Sequence, residues 1–184
     1  MTSPVKITQN ALNEPPSKMG FKVGTILTVD NAIKMLLVKS ANDIAVAMGE
    51  AISGKEEDFV VRMNEEARRL GMSGTHFVNP NGLPAEGQVT TARDLGILAR
   101  AIWMEFPQHH DLFRIAAIRH GKTIMRNYNG LLERYPGASG MKTGFICASG
   151  FNLVASVTRG EETLIAVVLG ARSAIRTRPG TRRR

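Results

Sequence analysis

Apolar residues recur at helical spacing on both sides of Ser40. Thr28, Val29 and Asp30 lead into Ile33, Leu36 and Leu37, and after Ser40 the same period resumes through Ile44, Val46 and Met48. Two consecutive helices are predicted, with Ser40 at or between them. A third helix is predicted over residues 56–70, where Phe59, Val60, Met63, Ala67 and Leu70 share one face. Arg62, Glu66 and Arg69 share the other, and Gly71 supplies a stop. Residues 76–84, built around Asn79-Pro80-Asn81-Gly82, are dense in turn formers, and Asn-Gly supplies positive backbone torsions, so an ordered loop is expected. Thr91 then reads as an N-cap with Asp94 as its capping-box partner, opening a helix through Leu95, Leu98 and Ile102 that ends before Pro107.

Beyond Ile115 the pattern changes period. Thr123-Ile124-Met125 is a short β-type run between Gly121 and Asn127, and two longer ones, residues 151–157 and 163–169, flank Arg159-Gly160-Glu161 as a hairpin. Helices first and antiparallel strands second predict an α+β fold, a helical region plus an antiparallel sheet covered by helices, rather than alternating βαβ units.

Composition agrees with one globular domain: 184 residues, 43% hydrophobic and 22% charged. The net charge of +8 raises the question of nucleic acid. However, six arginines and no acid fall between Arg172 and Arg184, leaving +2 for residues 1–171. Such a tail would hold phosphates or anionic surfaces nonspecifically, and no specific nucleic-acid partner is expected. Cys147 is the only cysteine, which excludes a disulfide framework. No apolar run reaches the roughly twenty residues that span a bilayer, and the residues after Met1 do not form a signal segment, so neither a transmembrane segment nor an export signal is expected here.

Several residues receive plain structural readings. His76, His109, His110 and His120 are not spaced to put two imidazoles on one helical face, so no metal site is expected. Gly121-Lys122-Thr123 lacks the first glycine of a phosphate loop, Ala116 standing there, and no cofactor is expected. Cys147 is expected to be an inert, buried or half-buried thiol, and Trp103 and Phe106 to belong to the core.

Chemistry concentrates in Ser40-Ala41-Asn42 and Lys142-Thr143-Gly144. A Lys-Thr-Gly at the inner edge of a strand offers an ammonium and a hydroxyl to a carboxylate, and its glycine lets an extended substrate lie close to the backbone. The order of the two motifs matches the penicillin-binding and serine β-lactamase superfamily. Four segments narrow the match: Val38-Lys39-Ser40-Ala41-Asn42-Asp43, residues 75–84, Thr90-Thr91-Ala92-Arg93-Asp94 and Gly140-Met141-Lys142-Thr143-Gly144-Phe145. From about residue 5 to about 173 the chain resembles the low-molecular-weight penicillin-binding D-alanyl-D-alanine carboxypeptidases.

The resemblance implies a β-lactamase/transpeptidase-like fold and a periplasmic or cell-envelope location. It implies a serine acyl transfer on peptidoglycan stem peptides ending in D-Ala-D-Ala, with β-lactam antibiotics as mimics. By resemblance, Ser40 relays a proton to the leaving amine, and Asn42 holds the substrate amide and a catalytic lysine. Lys142 and Thr143 bind the terminal carboxylate, Gly144 admits the substrate, and the Phe145 N–H supplies one oxyanion donor. A β-lactamase fits less well, since no Glu-x-x-x-Asn deacylation segment is visible. A noncatalytic binder of peptidoglycan or β-lactams stands as the alternative.

The nucleophile motif, Ser-x-x-Lys, is formally matched by Ser3-Pro4-Val5-Lys6. Only Ile7 and Leu12 offer an apolar face before Pro15-Pro16, so a buried helix presenting both side chains is not expected. The resemblance places the stretch from Val5 to Gly24 downstream of the nucleophile, as a strand and connection. Two units are therefore expected: a partial domain over 1–173, incomplete at both ends with the nucleophile motif before Met1, and a basic tail over 174–184. Apolar sheet surface is expected to be exposed.

Overall fold

The computed structural model describes residues 1–173. In the first half, a two-stranded ladder and four helices enclose the main core. Strand β1 (Pro4–Lys6) pairs antiparallel with β2 (Ile26–Thr28), and the short helix α1 (Gln9–Asn13) lies between them in sequence. Helix α2 (Val29–Lys39) begins as predicted at Thr28, whose hydroxyl accepts from the Asn31 N–H. Helix α3 (Asn42–Ser53) buries residues all round, Ile44, Val46 and Ala47 among them, and makes the central post of this half. Helix α4 (Glu56–Arg69) packs on α3 through the predicted face. Gly49 permits that approach, since a Cβ there would stand 2.8 Å from the Phe59 ring. Val5, Ile7, Ala11, Ala32, Ala41, Ile44, Val46 and Ala47 form one cluster, closed over by Phe21, Leu27 and Met35.

Helix α5 (Ala92–Glu105) leads, through a 3-10 segment (Pro107–Arg114), into the β-hairpin of β3 (Ala117–His120) and β4 (Thr123–Arg126). A single turn, α6 (Leu131–Arg134), precedes a three-stranded antiparallel sheet in the order β5 (Ala138–Ile146), β6 (Gly150–Arg159), β7 (Glu162–Ala171). Pairing puts Val154, Ser156, Ile165 and Val167 on the face met by α5, where Gly96 reaches Val167. Leu164, Ala166 and Val168 point the other way, and Leu164 is 73% exposed. The expected α+β arrangement is therefore present, and the expected open apolar sheet surface with it. No described helix is long and apolar enough to cross a membrane.

Three expectations need correction. Thr91 does cap α5, accepting from the Asp94 N–H, but the Asp94 carboxylate does not turn back to complete a capping box. It is buried and accepts instead from the Gly74 N–H and the Thr75 hydroxyl, each at 2.8 Å, so a loop twenty residues upstream claims it. Phe106 is 46% exposed rather than core, because α5 ends there and the 3-10 segment turns away. Trp103 is half-buried and stacks on His110 with ring centroids 3.6 Å apart. Cys147 is exposed, lying in the turn after β5 where no element covers it. The basic tail falls outside the described residues.

Candidate active site

Ser40 ends α2 with a left-handed backbone, φ 53° and ψ 48°, the only positive φ at a non-glycine among the described residues. That conformation costs about 1–2 kcal/mol for an L-residue. Neighbouring contacts hold it: the Ser40 N–H donates to Leu36 O, and the Ser17 hydroxyl donates to Lys39 O. One residue later Asn42 opens α3 with no side-chain cap. Its N–H is satisfied by Ser17 O at 2.8 Å, and its Nδ2 donates to Pro15 O at 2.9 Å. The chain from Pro15 to Ser17 thus buttresses both predicted site positions.

Asp43 anchors this buttress. Its fully buried carboxylate accepts from the backbone N–H groups of Met19, Gly20 and Ile44. Sequence reasoning quoted Asp43 within a motif and gave it no role. The available signal was an acid immediately before the apolar run of residues 44–48.

Lys142 arrives from β5. Its Nζ donates to Ser40 Oγ at 2.8 Å across 102 residues and to Thr143 O at 2.6 Å. Burial pulls its ammonium down to about 8, and among the described residues no carboxylate forms an ion pair with it. Ser40, Asn42 and Lys142 line one cleft of about 90 Å³ together with Leu36, Pro80 and Asn81. Asn81 is held from behind by Glu14, whose carboxylate accepts from Asn81 Nδ2 at 2.7 Å. Burial, and then the nearby Glu56, push Glu14 above the usual carboxylate range.

The remaining predicted residues lie along β5 outside that cleft. Thr143 is half-buried, Gly144 is exposed, and Phe145 is 57% exposed, with its ring 4.5 Å from that of Phe151. β5 is an edge strand, so part of its backbone hydrogen-bonding capacity faces away from β6. A bulge between Gly140 and Lys142 turns Lys142 to the face that carries Ser139.

Two serines stand three residues before a lysine, and neither builds the nucleophile pair. Ser3 precedes an extended segment in which Pro4–Lys6 pairs with β2, and both Ser3 and Lys6 are exposed. In a strand, side chains three apart point to opposite faces, so the geometry of one helical turn is absent. Ser139, a match that sequence reasoning did not weigh, is fully buried and accepts from Arg114 Nε at 2.8 Å. Among the described residues there is no cluster of side chains able to hold a metal ion.

With this geometry in view, solved structures place the fold. The chain superposes on the D-alanyl-D-alanine carboxypeptidase DacD from Francisella tularensis with a TM-score of 0.88 at 29% identity, covering 94% of this chain and 54% of that one. It superposes on penicillin binding protein 6B from Escherichia coli with a TM-score of 0.87 at 35% identity, covering 94% and 57%. The architecture is thus the β-lactamase/transpeptidase-like fold of penicillin-binding proteins. The family model for D-alanyl-D-alanine carboxypeptidase, peptidase S11, matches residues 1–173, and the chain belongs to that family. It is 35% identical over 167 residues to DacC of Escherichia coli, covering 90% of this chain and 42% of the relative. It is 36% identical over 177 residues to DacF of Bacillus subtilis, covering 93% and 45%. The chain therefore spans less than half the length of these curated relatives.

Proposed function

We propose that residues 1–173 form one unit that carries the carboxylate-binding and proton-relaying part of a serine-type D-Ala-D-Ala carboxypeptidase site. The ligands of that site are peptidoglycan stem peptides ending in D-Ala-D-Ala, met at the cell envelope, and β-lactams as their mimics. One observation carries this proposal: a largely buried ammonium, Lys142, with no counter-ion among the described residues, hydrogen-bonded to Ser40 in the cleft that holds Asn42. An ammonium has three donors, and Ser40 and Thr143 take two of them. The third, with the Thr143 hydroxyl, receives the terminal carboxylate of the peptide.

The peptide then runs along the open edge of β5, close against Gly144, with the scissile carbonyl at the Phe145 N–H. In the acyl transfer a nucleophilic serine oxygen bonds to that carbonyl carbon, the proton it loses passes through Ser40 to the terminal D-alanine nitrogen as the carbon–nitrogen bond breaks, and water then hydrolyses the acyl ester. Asn42 orients the substrate amide. By itself the described chain is expected to bind without acylating, since no serine and lysine one helical turn apart line the cleft and Ser40, the serine that does line it, is assigned the proton relay. The family relatives favour a carboxypeptidase over a β-lactamase.

Calorimetric titration with Nα,Nε-diacetyl-Lys-D-Ala-D-Ala tests the site. Saturable binding is expected, lost in Lys142→Ala and weakening as pH rises above about 8, since the ammonium is the binding form and burial favours its neutral state. Intact-mass measurement after incubation with a labelled penicillin is expected to show no adduct. Absence of peptide binding to folded protein would overturn the proposed site. An adduct on Ser3 would overturn the statement that this chain does not acylate.

A further inference from the structure

Past the Lys-Thr-Gly segment, the end of β5 faces the loop that follows Asn81. Between them lies an open cleft of about 430 Å³, walled by Leu83, Pro84, Ile146 and Ala148 and bordered by Glu86 and Gln88. Ile146 alternates with Gly144 and Lys142 along β5, so this cleft opens on the same side of the strand as the site.

The two polar side chains differ in what they have left to offer. Gln88 is consumed by the loop: its Oε1 accepts from the N–H groups of Val78 and Asn79, and its Nε2 donates to Asn79 Oδ1 and Leu83 O. Glu86 has no hydrogen bond or ion pair among the described residues, and it is the one ionisable side chain lining the cleft. An apolar wall with an unpaired carboxylate at its border complements an aliphatic chain that ends in a cation.

Strand geometry says which part of a ligand reaches it. If, as proposed above, the terminal carboxylate sits at Lys142 and Thr143 and the scissile carbonyl at Phe145, the peptide advances toward Ile146 as it is followed back from its C-terminus. At about 3.3 Å per residue, the residue preceding the D-Ala-D-Ala pair falls beside Ile146.

We propose that the cleft between residues 82–88 and the end of β5 is the subsite for the side chain preceding D-Ala-D-Ala, and that Glu86 selects one with an aliphatic stem and a terminal ammonium. Glu86 is a specificity-determining residue and takes no part in bond making.

Two peptides differing only at that amine test it: Nα-acetyl-Lys-D-Ala-D-Ala, with its ε-ammonium free, and the Nα,Nε-diacetyl form. For an exposed ion pair the free-amine peptide is expected to bind about threefold more tightly at low ionic strength, less so in salt. Glu86→Gln is expected to bring the ratio to about one without changing affinity for the diacetyl peptide, and Glu86→Lys to invert it. Binding of both peptides with the same ratio in all three proteins would overturn the subsite while leaving the carboxylate site standing. Failure of both peptides to bind folded protein would overturn the carboxylate site, and the subsite with it.

Discussion

The helical half and the sheet half of this molecule are built to different standards of closure. Around α3, the side chains of Val5, Ile7, Ile44 and Val46 are at most 1% exposed, and the buried Asp43 carboxylate accepts from three backbone N–H groups. In the sheet, α5 and the 3-10 segment cover one face, while Leu164 and Val168 on the other are 73% and 40% exposed. The site straddles the two. Ser40 and Asn42 are held by the closed half, and Lys142 is carried by an edge strand. Rigidity of the donor groups is therefore supplied from the helices, and the sheet contributes the charge and the open backbone edge.

That contrast can be broken from either side. The largest effect is expected for Asp43→Ala, which strands the backbone N–H groups of Met19, Gly20 and Ile44. At about 1–3 kcal/mol for each buried group left unpaired, a loss of roughly 3 kcal/mol or more is expected in urea unfolding followed by circular dichroism. A loss below about 1 kcal/mol would show that Asp43 is not the anchor described.

Next comes Gly144→Ala. A Cβ there meets Asn152 at 3.7 Å, an ordinary contact, so the fold is expected to keep its melting temperature. The same atom would stand in the path proposed for the peptide backbone, and affinity for diacetyl-Lys-D-Ala-D-Ala is expected to fall about tenfold, about 1.4 kcal/mol. Gly140, four residues earlier, is the structural counterpart, since a Cβ there would collide with Asn129 Nδ2. Equal binding by Gly144→Ala and the parent protein would contradict the path assigned to the peptide.

The smallest change in stability is expected for Leu164→Thr. On an open β face this substitution is expected to move stability by no more than about 0.5 kcal/mol. It should reduce self-association in light scattering at high protein concentration, since it removes the most exposed apolar side chain of that face. A large loss of stability would mean that something covers the face in solution.

Much of the architecture was legible because its signals are short-ranged. The caps at Thr28 and Thr91, the face of α4 and its stop at Gly71, and the hairpin around Arg159-Gly160-Glu161 each depend on residues within a few positions of one another. The small ladder of β1 and β2 gave little periodicity to read, three residues being too few for an alternation, and only the family resemblance pointed to a strand there. Asp94 misled for the same reason that Thr91 did not. A local capping partner and a distant loop compete for one carboxylate, and the sequence near Asp94 carries no trace of Gly74 and Thr75.

By itself the sequence determined the α+β order of elements, the family, and the residue types of the site, since periodicity, caps and motif spacing are properties of neighbouring positions. Only the tertiary structure decided that Ser40 takes a left-handed backbone, that Lys142 reaches it across 102 residues, and that Glu86 borders an apolar cleft with no partner among the described residues. Those outcomes depend on groups brought together by burying the core, and the free energy of burial carries no record of distance along the chain.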